Sequence, residues 1–151
     1  MLYRARSSSK ITLNPTKNIM KTLGTISGTT SGGRDGHGET SDGLIKADFK
    51  SKGGGPTPEH FFALGYSACF GSALAGVSRL KGVQLPPDFS VTVKVDLNVG
   101  DNHDYSLAAE LQVKLPGIEK SAAEELVKAA DQMCPYSKAI RGNVPVKLTV
   151  L

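Results

Sequence analysis

The stretch TPEHFFALGYSACFGSALAGVSRL, residues 57–80, decides how the rest of this chain folds. Thr57 can cap a helix, Pro58 suits the first helical position, and Glu59 lies in the first turn, where the helix dipole favours a carboxylate. Phe61, Phe62, Leu64, Cys69, Phe70, Ala73, Leu74, Val77 and Leu80 spread around most of the circumference, so the spacing predicts a helix buried on nearly all sides. Gly65, Ser72 and Gly76 keep part of it thin enough for another backbone to approach. Glu59, His60, Arg79 and Lys81 bound an apolar run shorter than the roughly 20 residues of a membrane span, so a core helix is the expected role.

Outward from this helix the pattern changes to short strands and turns. Upstream, residues 24–41 are dominated by Gly, Ser and Thr, which cannot hold a helix and predict strand and turn. Leu44, Ala47 and Phe49 follow in an expected edge strand, ended by Gly53-Gly54-Gly55-Pro56. Downstream, Val91, Val93, Val95, Leu97 and Val99 alternate, as do Leu107, Ala109, Leu111, Val113 and Leu115. Gly100-Asp101-Asn102 between the two runs points to a hairpin whose turn type stays open. A helix from about Ser121 to Met133 presents Ala122, Leu126, Ala129, Ala130 and Met133 on one side. After Cys134-Pro135-Tyr136 and a turn, Val144, Val146, Leu148 and Val150 share one face of a last strand. Strands, helix, hairpin, helix and strand define an α+β fold built on an antiparallel sheet with a buried central helix.

The 151 residues suffice for one domain with a real core. The net charge of +4 is unevenly placed. Five of the 18 basic residues fall in residues 1–21 without a single acid, leaving 13 against 14 acidic groups in the remainder. The body therefore has no basic excess to track a phosphate backbone, and no nucleic-acid partner is expected. Residues 1–22 form a basic N-terminal extension and residues 23–151 the domain. The extension lacks the apolar core of a secretory signal. Its Arg, Ser and Lys bias matches a mitochondrial transit peptide in composition, while Asn14-Pro15 would interrupt a long amphipathic helix. The expected compartment is the cytoplasm, or the mitochondrial matrix if the extension is a transit peptide.

Two cysteines, 65 positions apart, do not make a disulfide framework. As a residue in an apolar helix, Cys69 fits an inert buried thiol, and reactivity would require a positive group brought to it. Arg34, set between Gly33 and Asp35-Gly36, is such a group if the glycines let its loop come close; otherwise it is a surface turn arginine. Glu59 can pair with its guanidinium, but ten helical residues separate Glu59 from Cys69, ~15 Å along the axis. Either the backbone near Arg34 moves, or the pair arrives from a second subunit. Cys134, at a helix end before Pro135, fits either a core cysteine or an accessible, mobile thiol. His37, His60 and His103 show no ligand spacing, so no metal is expected. Phe61, Phe62, Tyr66, Phe70 and Tyr136 are candidates for core or pocket.

Three blocks carry a resemblance. Residues Thr57 to Phe70 closely resemble the peroxidatic-cysteine helix of the organic hydroperoxide resistance proteins, in the osmotically inducible protein C-like superfamily. Cys134-Pro135-Tyr136-Ser137-Lys138-Ala139-Ile140-Arg141-Gly142-Asn143-Val144 resembles their second-cysteine motif. Gly32-Gly33-Arg34-Asp35-Gly36 resembles their arginine loop. Two prolines bracket Thr57 where the family usually has Thr-Asn-Pro-Glu. The resemblance implies a cysteine-based peroxidase for alkyl or fatty-acid hydroperoxides, with Cys69 peroxidatic, Cys134 resolving, Arg34 activating and Glu59 its carboxylate partner. It further implies a Cys69–Cys134 disulfide, an intertwined homodimer, a lipoylated protein or small dithiol as reductant, and no cofactor. A thiol-based oxidation sensor and a lipid-binding module with structural cysteines are the alternatives.

Overall fold

The computed structural model describes residues 20–151; the readings of the extension at residues 1–19 lie outside the described residues. Strands β1 (Gly28–Ser31), β2 (His37–Thr40) and β3 (Lys46–Asp48) form an antiparallel sheet in that order. A single 3-10 turn, Gly33–Asp35, joins β1 to β2. The turn requires glycine: Gly32 sits at φ 76°, and a Cβ on Gly36 would fall 1.7 Å from the Ser31 carbonyl oxygen. The expected edge strand at Leu44–Phe49 is shorter than its apolar pattern, and Leu44 lies in the exposed turn before it.

Helix α1 (Pro58–Leu80) begins where Thr57 and Pro58 predict. The ring nitrogen Nδ1 of His60 accepts from the Thr57 backbone N–H at 3.1 Å, and Pro58 occupies the first turn. Strands β4 (Ser90–Val99) and β5 (Tyr105–Lys114) form the expected hairpin, with Val91 opposite Val113, Val93 opposite Leu111 and Val95 opposite Ala109. Its turn places Asn102 and His103 at positive φ. Helices α2 (Lys120–Met133) and α3 (Pro135–Ile140) then lead to β6 (Val146–Val150).

Strand β6 pairs parallel to β5, with Leu111 beside Leu148, so the second sheet is mixed and not purely antiparallel. Parallel neighbours need a crossover connection, and α2 with α3 supply it. The core lies between this sheet, α1 and α2: Tyr66, Phe70, Leu74 and Val77 meet Val93, Leu111 and Val113 from the sheet and Leu126, Val127 and Ala130 from α2. Two expectations are corrected here. Helix α1 is buried along one side only: Leu64 is exposed because the second sheet and α2 cover just the opposite side, and Leu80 is exposed at the helix end. The buried stripe of α2 is Ala123, Leu126, Val127 and Ala130, a clean i, i+3, i+4, i+7 set, and Ala122 falls outside it.

By length and composition alone α1 could cross a membrane, contrary to the reading of the sequence. Its Tyr66–Val77 side is instead packed on protein. The first sheet touches α1 through Phe49 and Phe61, whose ring centroids lie 5.3 Å apart.

Candidate active site

Cys69 sits midway along α1, three residues beyond Tyr66 and on the same side of the helix. Cys134 is the hinge between two helices. It closes α2, its N–H donating to the Ala130 carbonyl at 2.8 Å, and it opens α3, whose first residue is Pro135. Its extended backbone turns the chain back toward α1. The Cys134 sulfur stands 3.5 Å from that of Cys69, and both thiols are free.

The sequence leaves Cys134 as either a core or an accessible thiol, and the structure has it in the core; Cys69, in a helix expected to be buried on nearly all sides, is the more exposed of the two. Cys134 is fully buried, whereas Cys69 is partly exposed. A helix-end residue is exposed only when the next segment leads away; here α3 folds over α1 and seals Cys134 in. Burial pushes the Cys69 thiol above its ordinary range, against a hydrogen bond from the Tyr136 backbone N–H that favours the thiolate. The adjacent Cys134 thiol raises it further.

A second contact joins the same two helices. The Tyr66 hydroxyl and Ser137 Oγ are 2.8 Å apart in a buried hydrogen bond. Tyr66 precedes Cys69 by three residues and Ser137 follows Cys134 by three, so sulfur pair and hydroxyl pair are two rungs between α1 and the α2–α3 hinge. Burial raises the Tyr66 phenol pKa, and Ser137 partly offsets this. The thin places on α1 receive side chains and not a backbone: Gly65 faces the Tyr136 ring and Gly76 the Met133 sulfur.

Arg34 and Glu59 also meet. Nη1 of Arg34 donates to Oε2 of Glu59 at 3.1 Å, and Nη2 donates to Oε1, giving a two-pronged ion pair. The guanidinium holds the Glu59 carboxyl at about 2, well below the usual carboxylate range. Asp35 anchors the loop, accepting from the Ser51 backbone N–H at 2.9 Å and from its hydroxyl at 2.6 Å. A cavity of about 360 Å³ beside the pair is lined by Thr30, Gly33, Arg34, Phe49, Pro58 and Phe61.

The structure thus makes two pairs, Cys69–Cys134 and Arg34–Glu59, at different heights of one continuous helix. Ten residues of α1 separate Glu59 from Cys69, ~15 Å along its axis. Among the described residues, no cluster of three His, Cys, Asp or Glu side chains is arranged to hold a metal ion. His37 instead pairs with Asp48 at 2.7 Å. Ser137 and the Asp35–Ser51 anchor were not singled out by the sequence; a hydroxyl one turn after a hinge cysteine is the only signal that could have marked the former.

An α+β fold that brings two free thiols face to face across a helix hinge is the arrangement of a thiol-based redox protein. The chain belongs to the family of OsmC-like proteins, whose sequence profile matches residues 51–149, and it is closely related to the organic hydroperoxide resistance proteins. It is 36% identical over 140 residues to the organic hydroperoxide resistance protein of Xanthomonas axonopodis pv. citri, covering 86% of this chain and 96% of that one. It is 39% identical over 127 residues to OhrA of Bacillus subtilis, covering 79% and 89%. Among solved structures, an organic hydroperoxide resistance protein OsmC from Legionella pneumophila superposes with a TM-score of 0.81 at 42% identity, covering 86% of this chain and 98% of that one. OhrB of B. subtilis superposes with a TM-score of 0.80 at 36% identity, covering 86% and 100%.

Proposed function

We propose that this protein is a cysteine-based peroxidase that reduces organic hydroperoxides, alkyl or fatty-acyl, to alcohols. The Cys69 thiolate attacks the outer peroxide oxygen and the O–O bond breaks. The alkoxide leaves with a proton as alcohol, and Cys69 becomes a sulfenic acid. The Cys134 thiolate then attacks the Cys69 sulfur; the S–O bond breaks, hydroxide leaves as water with the proton from Cys134, and a disulfide forms. A dithiol, a lipoylated protein in the resemblance, returns both cysteines to thiols by exchange and is itself oxidised to its disulfide.

The observation that carries this reading is the 3.5 Å separation of the two sulfurs, with the partly exposed thiol presented to solvent and the buried one behind it. That order suits an attacking Cys69 and a resolving Cys134.

Activation of Cys69 needs a positive group, since burial alone keeps its proton on. In this reading Arg34, held by Glu59, supplies it from the second subunit of a homodimer. Two observations support that source. One subunit's own pair sits ~15 Å along the helix from its thiol, and apolar side chains stand uncovered at Leu64, Val99 and Tyr105. A second copy packed there would cover the open side of α1.

The test is steady-state peroxide consumption with dihydrolipoamide as reductant. Tert-butyl hydroperoxide should be consumed faster than hydrogen peroxide, and both rates should vanish without dithiol. A purified protein that consumes neither peroxide would overturn the proposal.

A further inference from the structure

Helix α2 and helix α3 are separated by a break that has to be held at one angle if Cys134 is to face Cys69. Pro135 causes the break. In a continuous helix the N–H of residue 135 would donate to the carbonyl of Asp131, but proline has no N–H, so that carbonyl loses its donor. The structure supplies a replacement. Nη2 of Arg141, at the far end of α3, reaches back and donates to the Asp131 carbonyl oxygen at 2.9 Å. The same nitrogen donates to Asp131 Oδ2 at 2.6 Å. One guanidinium therefore spans the whole of α3 and grips both backbone and side chain of the residue that the proline orphans.

The backbone N–H of Arg141 adds to this, donating to the Ser137 carbonyl at 3.0 Å. Ser137 in turn holds Tyr66 of α1. Arg141 is thus joined to α2 by its side chain and to α1 by way of Ser137, and Cys134 lies at the vertex between them. Arg141 touches neither sulfur.

We infer that Arg141 is a positioning residue for the resolving thiol: by replacing the hydrogen bond that Pro135 removes, it fixes the α2–α3 angle and so aims Cys134 at Cys69. This rests on the reading of Cys134 as the resolving cysteine. The step it serves is the attack of the Cys134 thiolate on the Cys69 sulfenic acid, which forms the S–S bond, breaks the S–O bond and releases water. Its competitor is a second peroxide molecule, which oxidises the waiting sulfenic acid to sulfinic acid and leaves as alcohol.

The experiment compares wild type with Arg141→Met, Arg141→Lys and Asp131→Asn in single turnovers with tert-butyl hydroperoxide, quenched and alkylated for mass spectrometry. Loss of the reduced Cys69 thiol should keep the wild-type rate within about twofold in all three, whereas disulfide formation in Arg141→Met should slow by about tenfold or more, as a displaced reacting group does. Sulfinic acid on Cys69 should then accumulate at correspondingly lower peroxide. Arg141→Lys should recover only part of the rate, because an ammonium can donate to both oxygens but the shorter side chain does not carry it as far as Nη2 reaches. Asp131→Asn should be mildest, because the carbonyl contact survives. A wild-type disulfide rate in Arg141→Met would overturn the assignment. So would an equal fall of both steps, which marks a general loss of structure. Diamide, a diazene oxidant that takes two hydrogens from a close thiol pair, separates the two readings. If wild type formed its disulfide with diamide but not with peroxide, the peroxidase reading would fail. The positioning role would then stand or fall on whether Arg141→Met slows the diamide reaction.

Discussion

The sulfurs of Cys69 and Cys134 face each other at 3.5 Å although 65 positions separate the residues in the chain. A disulfide needs its sulfurs about 2.0 Å apart, so the pair has about 1.5 Å to close, a distance that side-chain rotation covers. The two thiols nevertheless have different prospects. Oxidation of Cys134→Ser by one equivalent of tert-butyl hydroperoxide should leave a sulfenic acid on Cys69 that dimedone traps. Cys69→Ser should retain its fold and lose peroxide reduction. If instead the Cys69→Ser protein yields the trapped sulfenic acid on Cys134, the roles are exchanged.

The separation of the Arg34–Glu59 pair from the thiols along α1 leads to a complementation experiment. In the proposed homodimer, one subunit carries Arg34→Ala with Cys69 intact, and the other carries Cys69→Ser with Arg34 intact. Each homodimer should be nearly inactive. In the mixed dimer, one of the two sites would hold both groups if Arg34 crosses the interface, so peroxide turnover should reappear. Activity no higher than in the homodimers would place Arg34 and its thiol in one subunit. In the Arg34→Ala homodimer the alkylation of Cys69 should also shift to higher pH.

Glu59 carries a pH dependence whose sign is fixed. Arg34 depresses its folded pKa from 4.5 to about 2, so the native state favours the carboxylate more than the unfolded chain does. The stabilisation is complete above the unfolded pKa and disappears as pH falls through the folded one. Glu59→Gln should therefore unfold more easily than wild type at neutral pH, measured by urea titration, with the two midpoints converging between pH 4.5 and about 2. Midpoints that stay equally far apart at the acid end would show that the loss comes from something other than the charge.

Tyr66 and Ser137 form a buried rung, and removing one partner leaves the other unsatisfied. Tyr66→Phe should cost about 1–3 kcal/mol in unfolding free energy. The double variant Tyr66→Phe with Ser137→Ala should lose less than the sum of the single losses, because no orphaned hydroxyl remains. Strict additivity in that cycle would mean that the two hydroxyls do not interact energetically.

Much of this arrangement is legible in the residues themselves. Thr57-Pro58 sets the start of α1, and strict alternation from Val91 to Val99 and Leu107 to Leu115 sets the hairpin. The direction of β6 is not legible, because Val146, Leu148 and Val150 alternate identically whether the strand runs parallel or antiparallel to β5. The burial of Cys134 escapes for a related reason: it is decided by α3 folding back over α1, and local sequence shows only that the helix stops at Pro135. The exposure of Leu64 depends on which side of α1 the second sheet and α2 come to cover, which helical periodicity alone does not reveal. Arg34 and Glu59 could be proposed as partners because opposite charges near a glycine-rich loop and a helix start can meet. The link from Arg141 to Asp131 has no such signature; it becomes visible only once the proline-orphaned carbonyl is located.

The placement of the two cysteines also bears on the unfolded chain. One lies in the middle of α1 and the other at the α2–α3 hinge, so a bond between them would close a loop of 65 residues enclosing the whole β4–β5 hairpin and α2. In the chain-entropy description, a loop of that length withdraws about 4 kcal/mol of freedom from the denatured ensemble. Each catalytic cycle would then alternate between a looser and a tighter protein. Resistance to heat or protease would report, without any chromophore, how much of the population stands oxidised.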